Sequence, residues 1–242
     1  MTPARPAPSP AVVRVIGPGR AGTALTGALA AAGWVVAEPL GRSDDPAGAA
    51  EGVDLLVVST PDGAIAGVAA AVEPVPTTVV AHLAGSLGLE VLAPHARRAA
   101  LHPLVSIATP ATPLRGAWFA VAGDPLAQRV VADLGGRTVA VADQDRAAYH
   151  AAACIASNHL VGLLGHVERV AATAGVPLHA FLDLVRGTVD NVTRLGPAAA
   201  LTGPLARGDT ATVERHLAAL DPAERSTYEA MADAIRRLLP CG

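Results

Sequence analysis

The chain has 242 residues, a length that suits one large domain or two modest ones and excludes a small scaffold held by disulfides. Hydrophobic residues make up 51% of it and charged residues 16%, which is too apolar for a disordered chain. A net charge of −3 and an aromatic content of 2% provide neither the basic surface nor the stacking platforms of a nucleic-acid-binding protein. The composition therefore predicts a globular protein that acts on a small molecule and has no nucleic-acid partner.

All 18 basic residues are arginines, so the chain contains no lysine. This excludes Schiff-base chemistry, a Walker A lysine and a lysine general acid. The only cysteines are Cys154 and Cys241; their number excludes a metal cluster built on cysteine, and we expect no disulfide between them. These features predict a protein of the reducing cytoplasm with no bound metal.

Two segments resemble targeting or membrane sequences but are better explained otherwise. Residues 1–10 are rich in proline and lack an apolar centre, so they are predicted to be a disordered leader and not a signal peptide. Residues 147–167 carry no formal charge, yet they include three histidines and an asparagine. Because such side chains are costly in a bilayer, this segment predicts a buried helix and no membrane association.

The first predicted element is a strand at Val12–Ile16, followed by a glycine-rich turn and a helix over residues 22–32. Runs of β-branched and apolar residues predict further strands at residues 34–40, 54–59, 78–83, 99–101, 118–122 and 138–141. Strands that alternate with helices are typical of an α/β fold with a doubly wound, mostly parallel sheet. We expect this domain to span residues 11–142.

The pattern changes after residue 142, where β-branched runs end and helical periodicity begins. Helices are predicted at residues 143–174, 177–195, 210–220 and 222–239, separated by glycine and proline. Residues 143–242 therefore predict a smaller, all-α domain.

A G-x-G-x-x-G motif, GPGRAG at residues 17–22, lies between the first strand and the first helix. Glycines in this position permit a tight turn and a close approach of the backbone to a pyrophosphate, while the N–H groups that begin the helix attract its negative charge. The motif predicts a Rossmann-type dinucleotide-binding loop, with contacts from Gly17, Gly19, Arg20, Ala21 and Gly22.

The end of the second predicted strand indicates which dinucleotide binds. A site specific for NAD places an acidic residue there, about 20 residues beyond the loop, to hold the ribose hydroxyls. Here the strand runs into Gly41, Arg42 and Ser43, and a guanidinium with a hydroxyl suits a 2′-phosphate. The sequence therefore favours NADP(H). The alternative is that Arg42 is a solvated loop residue and that Asp44 or Asp45 holds the ribose.

Six segments in a fixed order carry a family resemblance: GPGRAG, VVSTPDGAI, VVAHLAGS, LHPLVS, YHAAACIASNHL and TGPLARGD. Together they resemble the Rossmann-like proteins with a C-terminal DUF2520 domain, in the superfamily of 6-phosphogluconate dehydrogenase. Ketopantoate reductase and pyrroline-5-carboxylate reductase are similar in architecture, as are deazaflavin-dependent NADP reductases. The resemblance implies hydride transfer between NADP(H) and a small substrate, and a homodimer formed through the helical domain; it leaves open whether a deazaflavin takes part.

The resemblance also assigns two loops. It implies that Ser59, Thr60 and Pro61 pass near the nicotinamide ribose, although Pro61 also suits the end of a strand. It further implies that Gly85 and Ser86 contact a substrate carboxylate, although an ordinary tight turn explains them equally well.

The chain departs from its relatives at the catalytic lysine, which several of them place four residues before an asparagine. Asn158 matches that asparagine and would orient the carbonyl, but Cys154 stands where the lysine is expected. His150 lies one turn earlier on the same predicted helix face and is the first candidate proton donor. His102, at a strand end, is the second. Each histidine has the alternative of a structural role.

Arg207 is a candidate for binding a substrate carboxylate, with pairing to Asp209 as the alternative. The sequence thus predicts an NADP(H)-dependent oxidoreductase that transfers a hydride to a small 2-keto acid similar to ketopantoate. The alternatives are a cyclic-imine reductase of the pyrroline-carboxylate type and a non-catalytic NADP-binding protein.

Overall fold

The computed structural model describes residues 10–239. Cys241 and nearly all of the predicted leader lie outside the described residues. The chain divides into two compact units, the first ending at Cys154 and the second beginning at Ile155.

The first unit is built on a seven-stranded sheet in the order β2-β1-β3-β4-β5-β6-β7. Neighbouring strands are parallel except for the antiparallel pair β5 and β6. This confirms the predicted α/β class with a mostly parallel sheet. The strands are β1 (Val12–Ile16), β2 (Val35–Val36), β3 (Leu55–Val58), β4 (Val79–His82), β5 (Arg98–Pro103), β6 (Trp118–Gly123) and β7 (Arg137–Ala140).

The second strand is much shorter than the sequence predicts. Only Val35 and Val36 pair with β1, whereas residues 34–40 were expected to be extended. Pro39 interrupts the ladder because it has no N–H to donate. The chain rejoins the sheet at Leu40, which bridges Ile16 and donates its N–H to the Val15 carbonyl at 2.9 Å.

Residues 10–154 of this unit contain four α-helices: α1 (Arg20–Ala31), α2 (Asp62–Ala71), α3 (Leu126–Asp133) and α4 (Arg146–Cys154). All four residues of β3 are buried, with Leu55 and Val57 in one apolar cluster and Leu56 and Val58 in another. Successive strand residues point to opposite faces, so the sheet has a core on both sides. This double burial explains why the central strands are continuous apolar runs.

The second unit is all-helical, as the sequence predicts. It contains a π-helical segment (Ile155–His159) and the helices α5 (Leu160–Thr173), α6 (Leu182–Leu195), α7 (Pro197–Ala200), α8 (Thr210–Ala219) and α9 (Pro222–Arg236). The division at residue 154 falls later than the expected boundary at 142. Helix α4 belongs with the sheet because Arg146 is buried there and Tyr149 is hydrogen-bonded to His102 on β5.

Within residues 10–239, no helix combines the length and the apolar character needed to cross a membrane. Over the same residues, no three histidine, cysteine, aspartate or glutamate side chains group together as ligands for a metal ion.

Candidate functional site

The glycine motif forms the turn between β1 and α1. The Gly17 N–H donates to the Leu40 carbonyl at 2.8 Å, and the Gly17 carbonyl accepts from Gly19 N–H at 2.8 Å. Helix α1 then begins at Arg20 with Gly19 as its N-cap, and its first turn contains no acidic residue. Its first N–H groups and its dipole are thus available to an anion.

Two glycines of the motif are required by close contacts, and the third leaves the backbone uncovered. Gly17 has a positive φ of 84°, and a Cβ there would lie 3.0 Å from the Ser59 carbonyl oxygen. A Cβ on Gly22 would lie 2.9 Å from both the Gly17 oxygen and a methyl of Val15, so this residue lets the helix pack on the strand. A Cβ on Gly19 would meet nothing within 4 Å, which leaves the backbone open on the side where a pyrophosphate approaches.

A cleft of about 610 Å³ opens beside this turn. It lies at the carboxyl ends of β1 and β3, where the strand order reverses, because the chain leaves β1 to form β2 on one side and β3 on the other. Open α/β sheets bind ligands at such a switch point. The lining includes Gly17, Gly19, Arg42, Asp44, Ser59, Thr60 and Pro61.

Six of the predicted cofactor contacts therefore line one cleft: Gly17, Gly19, Arg42, Ser59, Thr60 and Pro61. The other four, Arg20, Ala21, Gly22 and Ser43, are not part of its lining. Arg20 lies at the start of α1 and its guanidinium is 3.5 Å from the Ala108 carbonyl. The hydroxyl of Thr60 is buried and has no hydrogen-bond partner within residues 10–239.

The acidic residues after β2 are engaged in the local turn. Asp44 lines the cleft, and its Oδ2 accepts from the Gly41 N–H at 2.7 Å. Asp45 accepts from the Ala47 N–H at 3.0 Å. These bonds hold the loop that carries Arg42, and each of them uses one of the two oxygens of its carboxylate.

A second group of residues lies at the ends of β4 and β5, next to α4. His102 Nδ1 lies 2.6 Å from the Tyr149 hydroxyl, and the His102 and His150 rings stand edge to face with centroids 5.9 Å apart. A Cβ on Gly85 would lie 2.6 Å from His150 Nδ1 and 3.0 Å from His102 Nε2. The structure thus brings together three predicted residues, Gly85, His102 and His150. We call these residues and Tyr149 the histidine cluster.

Two members of the histidine cluster, His102 and Tyr149, have shifted pKa values. Burial, the charge of His150 and the charge of Arg146 lower the pKa of His102 to about 4. Burial raises the pKa of Tyr149 to about 12. Near pH 7 both groups are therefore neutral, and the hydrogen bond between them joins a phenol to an uncharged imidazole.

Ser86, predicted as a substrate contact, lies close to a carboxylate. Its hydroxyl donates to Asp62 Oδ2 at 3.0 Å. An anionic substrate group placed at Ser86 would face the negative charge of Asp62. The environment of Ser86 therefore suits a neutral or positively charged group better than a carboxylate.

The other predicted residues lie in the second unit. Asn158 is exposed and falls within the π-helical segment, a geometry that is frequent at functional sites. Arg207 is exposed, and Asp209 caps α8 by accepting from the Thr212 N–H at 3.0 Å. Within residues 10–239, Arg207 forms no ion pair with Asp209.

Sequence reasoning missed Tyr149 and Arg146. On α4, Arg146 precedes Tyr149 by three residues and His150 by four, and these spacings place side chains on one helix face. That spacing was visible in the sequence. Their closeness to His102 was not, because 47 residues separate His102 from Tyr149.

Comparison with protein families agrees with the sequence motifs. Residues 119–235 match the model of DUF2520, described as a domain of unknown function. The match covers just under half of the chain, and the sheet that precedes and enters it has the strand order of a Rossmann-like unit. The resemblance indicated by the six motifs is thereby confirmed. No curated protein matches the chain.

Solved structures show the same architecture. A candidate NADP oxidoreductase of Bacteroides fragilis is 21% identical, with a TM-score of 0.76 over 94% of this chain and 98% of the other. A reductive aminase of Aspergillus terreus, in complex with NADPH and ethyl levulinate, is 16% identical, with a TM-score of 0.68 over 95% and 94%. The pyrroline carboxylate reductase of Plasmodium falciparum, with NADP bound, is 12% identical, with a TM-score of 0.62 over 94% and 98%. At these identities the likeness is one of fold.

Proposed function

We propose that the protein is an NADP(H)-dependent reductase. The observation that carries the proposal is the glycine turn at the strand switch point, which opens onto a cleft large enough for part of a dinucleotide. The three similar structures add support, because each is named for NADP chemistry or holds NADP(H). NADPH, when bound, supplies a hydride.

Arg42 is proposed to select the phosphorylated cofactor. It lines the cleft just after the bridge at Leu40, where the adenosine ribose of a Rossmann ligand lies. The nearby carboxylates of Asp44 and Asp45 are already bonded to the loop backbone. A guanidinium suits a 2′-phosphate through charge-assisted hydrogen bonds.

The proposed substrate is a small 2-keto acid similar to ketopantoate. Reduction of its carbonyl requires a proton for the oxygen as well as a hydride for the carbon. The neutral His102 and Tyr149 share a hydrogen bond in which one group donates and the other accepts, and the His150 ring lies against the His102 ring. We keep His102, His150 and Asn158 as catalytic candidates, the two histidines for the proton and Asn158 for carbonyl orientation, and add Tyr149.

Imine reduction is the second candidate. The lowered pKa of His102 leaves that residue uncharged near neutral pH, so it is a weak acid for a carbonyl oxygen. An iminium ion arrives already protonated and needs only the hydride. Similarity to a reductive aminase and a pyrroline carboxylate reductase also favours imine reduction.

A substrate panel with histidine variants separates the two candidates. NADPH oxidation is measured with 2-keto acids, including ketopantoate, and with cyclic imines. A keto-acid reductase should lose kcat in His102→Ala or His150→Ala, by roughly 10²- to 10⁴-fold if the residue acts as general acid. Imine turnover that survives both substitutions selects the second candidate. Binding of NADPH without turnover of any panel member would instead indicate a non-catalytic NADP-binding protein.

The cofactor assignment makes a separate prediction. Arg42→Ala should weaken NADPH binding about 10- to 150-fold and leave NADH binding unchanged, because only NADPH carries the 2′-phosphate. Calorimetry with both nucleotides measures this. Arg129→Ala, which removes an exposed arginine from α3, is the matched control. An equal loss for both nucleotides, or a native preference for NADH, would contradict the assignment.

We also propose that the protein forms a homodimer through its helical unit. Helix α6 has no buried residue although it is strongly apolar along one side. A second copy of the chain is the partner that the resemblance implies.

A further inference from the structure

Arg146 is a buried arginine whose positive charge is only partly balanced by a neighbouring carboxylate. It is 1% exposed, and its Nε donates to Asp143 Oδ1 at 3.2 Å. Its two terminal nitrogens, Nη1 and Nη2, are closed to solvent and have no hydrogen-bond partner within residues 10–239. Asp143 is 47% exposed, so water screens much of its charge. A buried guanidinium with unused donors is costly, and an anion that accepts from both terminal nitrogens would offset that cost.

Two histidines near this arginine also have ring nitrogens without a hydrogen-bond partner within residues 10–239. His82 is fully buried; its Nε2 pairs with the Gly88 carbonyl at 3.2 Å, while its Nδ1 has no partner within the described chain. Burial is the main cause of the lowered pKa of both His82 and His102, and the positive charge of Arg146 lowers both further. His150 Nδ1 is likewise buried without a partner in the same part of the chain. Arg146, His82 and His150 thus all carry buried nitrogens without a hydrogen-bond partner within residues 10–239.

The loop at residues 85–88 connects these groups. A Cβ on Gly85 would meet His150 and His102, and one on Gly88 would lie 2.8 Å from Asp143 Oδ2. The same Asp143 oxygen accepts from the Leu89 N–H at 3.1 Å. The loop thus packs against both the histidine cluster and the carboxylate that anchors Arg146.

We propose that Arg146 binds the carboxylate group of the substrate, an inference that rests on the proposed reductase function. The two terminal nitrogens of a guanidinium match the two oxygens of a carboxylate in a bidentate pair. Ser86, the other candidate in this unit, faces the Asp62 carboxylate and is electrostatically unsuited to an anion. Because Nη1 and Nη2 are closed to solvent, binding requires a local displacement of the residues that cover them.

Oxamate tests the site directly, because it is an unreactive analogue of a 2-keto acid and carries one carboxylate. Its binding to the full-length protein loaded with NADPH is measured by calorimetry, with ethyl oxamate as the uncharged matched ligand. Wild-type protein should bind oxamate and not ethyl oxamate. Arg146→Met should weaken oxamate binding at least tenfold, and Arg146→Lys should weaken it less because one charge remains. Arg129→Met, on the surface of α3, should bind as wild type does.

Thermal unfolding distinguishes binding from a structural role. Replacing a poorly paired buried cation with an apolar side chain of similar length should leave Tm unchanged or raise it. A large fall in Tm for both Arg146→Met and Arg146→Lys would make Arg146 structural and overturn the inference. So would wild-type oxamate affinity in Arg146→Met, or NADPH binding by a wild-type protein that does not bind oxamate. Failure of the wild-type protein to bind NADPH would instead refute the proposed function, and oxamate binding to the unliganded protein would still test Arg146.

Discussion

Gly85 shows how a single residue shapes the histidine cluster. Its backbone φ lies outside the left-handed region, so conformational freedom does not explain it. What requires glycine is space, since a methyl group would lie 2.6 Å from His150 Nδ1 and 2.9 Å from His102 Cε1. Such contacts force one ring or the loop to move.

We therefore expect Gly85→Ala to lower reductase turnover by roughly tenfold or more, because small displacements of reacting groups are costly to catalysis. The protein should remain folded, since the ring ends have some freedom to shift. Far-ultraviolet circular dichroism and NADPH oxidation measure the two effects. Gly63→Ala on α2 is the matched control, because a Cβ there meets nothing within 4 Å. Turnover in Gly85→Ala equal to that of the control would show that the cluster takes no part in the reaction.

At the scale of elements, different glycines of the β1–α1 turn serve stability and ligand binding. Gly22→Ala should lower Tm by several degrees, because its Cβ would lie 2.9 Å from the Gly17 oxygen and from Val15. Gly19→Ala should leave Tm nearly unchanged, because its backbone is extended and the added methyl group meets nothing. That methyl group should nevertheless weaken NADPH binding, because it occupies the side on which a pyrophosphate approaches the backbone.

Thermal unfolding and calorimetry on the two variants measure this contrast, and each variant is the control for the other. If Gly19→Ala binds NADPH as tightly as the wild-type protein does, the pyrophosphate does not lie on this turn.

The same turn shows what the sequence makes predictable. Strand, glycine motif and helix are adjacent in the chain, so local pattern was enough to place the candidate cofactor loop. The shortened β2 depends on Pro39, which cannot donate to the ladder although the apolar run continues to Leu40. The pairing of Tyr149 with His102 joins positions 47 residues apart, and no local pattern encodes such a contact. The burial of Arg146 was equally hidden, because a chain in which every basic residue is arginine offers no means of distinguishing one of them.

At the scale of the whole molecule, helix α6 is the element that a single chain explains least well. None of its 14 residues is buried, yet Leu184 is 68% exposed, Leu195 50% and Val192 39%. At helical spacing these three fall on one side of the helix. A long apolar face left in water is typical of a surface that another molecule covers.

The proposed second copy gives this face a partner and yields the last prediction. The wild-type protein should elute at twice the 24.2 kDa mass of one chain in size-exclusion chromatography with light scattering. Leu184→Glu should shift it toward the single-chain mass, because a carboxylate would be buried in the apolar contact of two helices. Since Leu184 is exposed in one chain, the substitution should leave the fold of that chain intact, as circular dichroism would show.

Leu104→Glu, at a 40% exposed leucine in the sheet unit, is the matched control and should not change the mass. A wild-type protein that elutes as one chain at micromolar concentration would contradict the homodimer and leave the α6 face to a different partner.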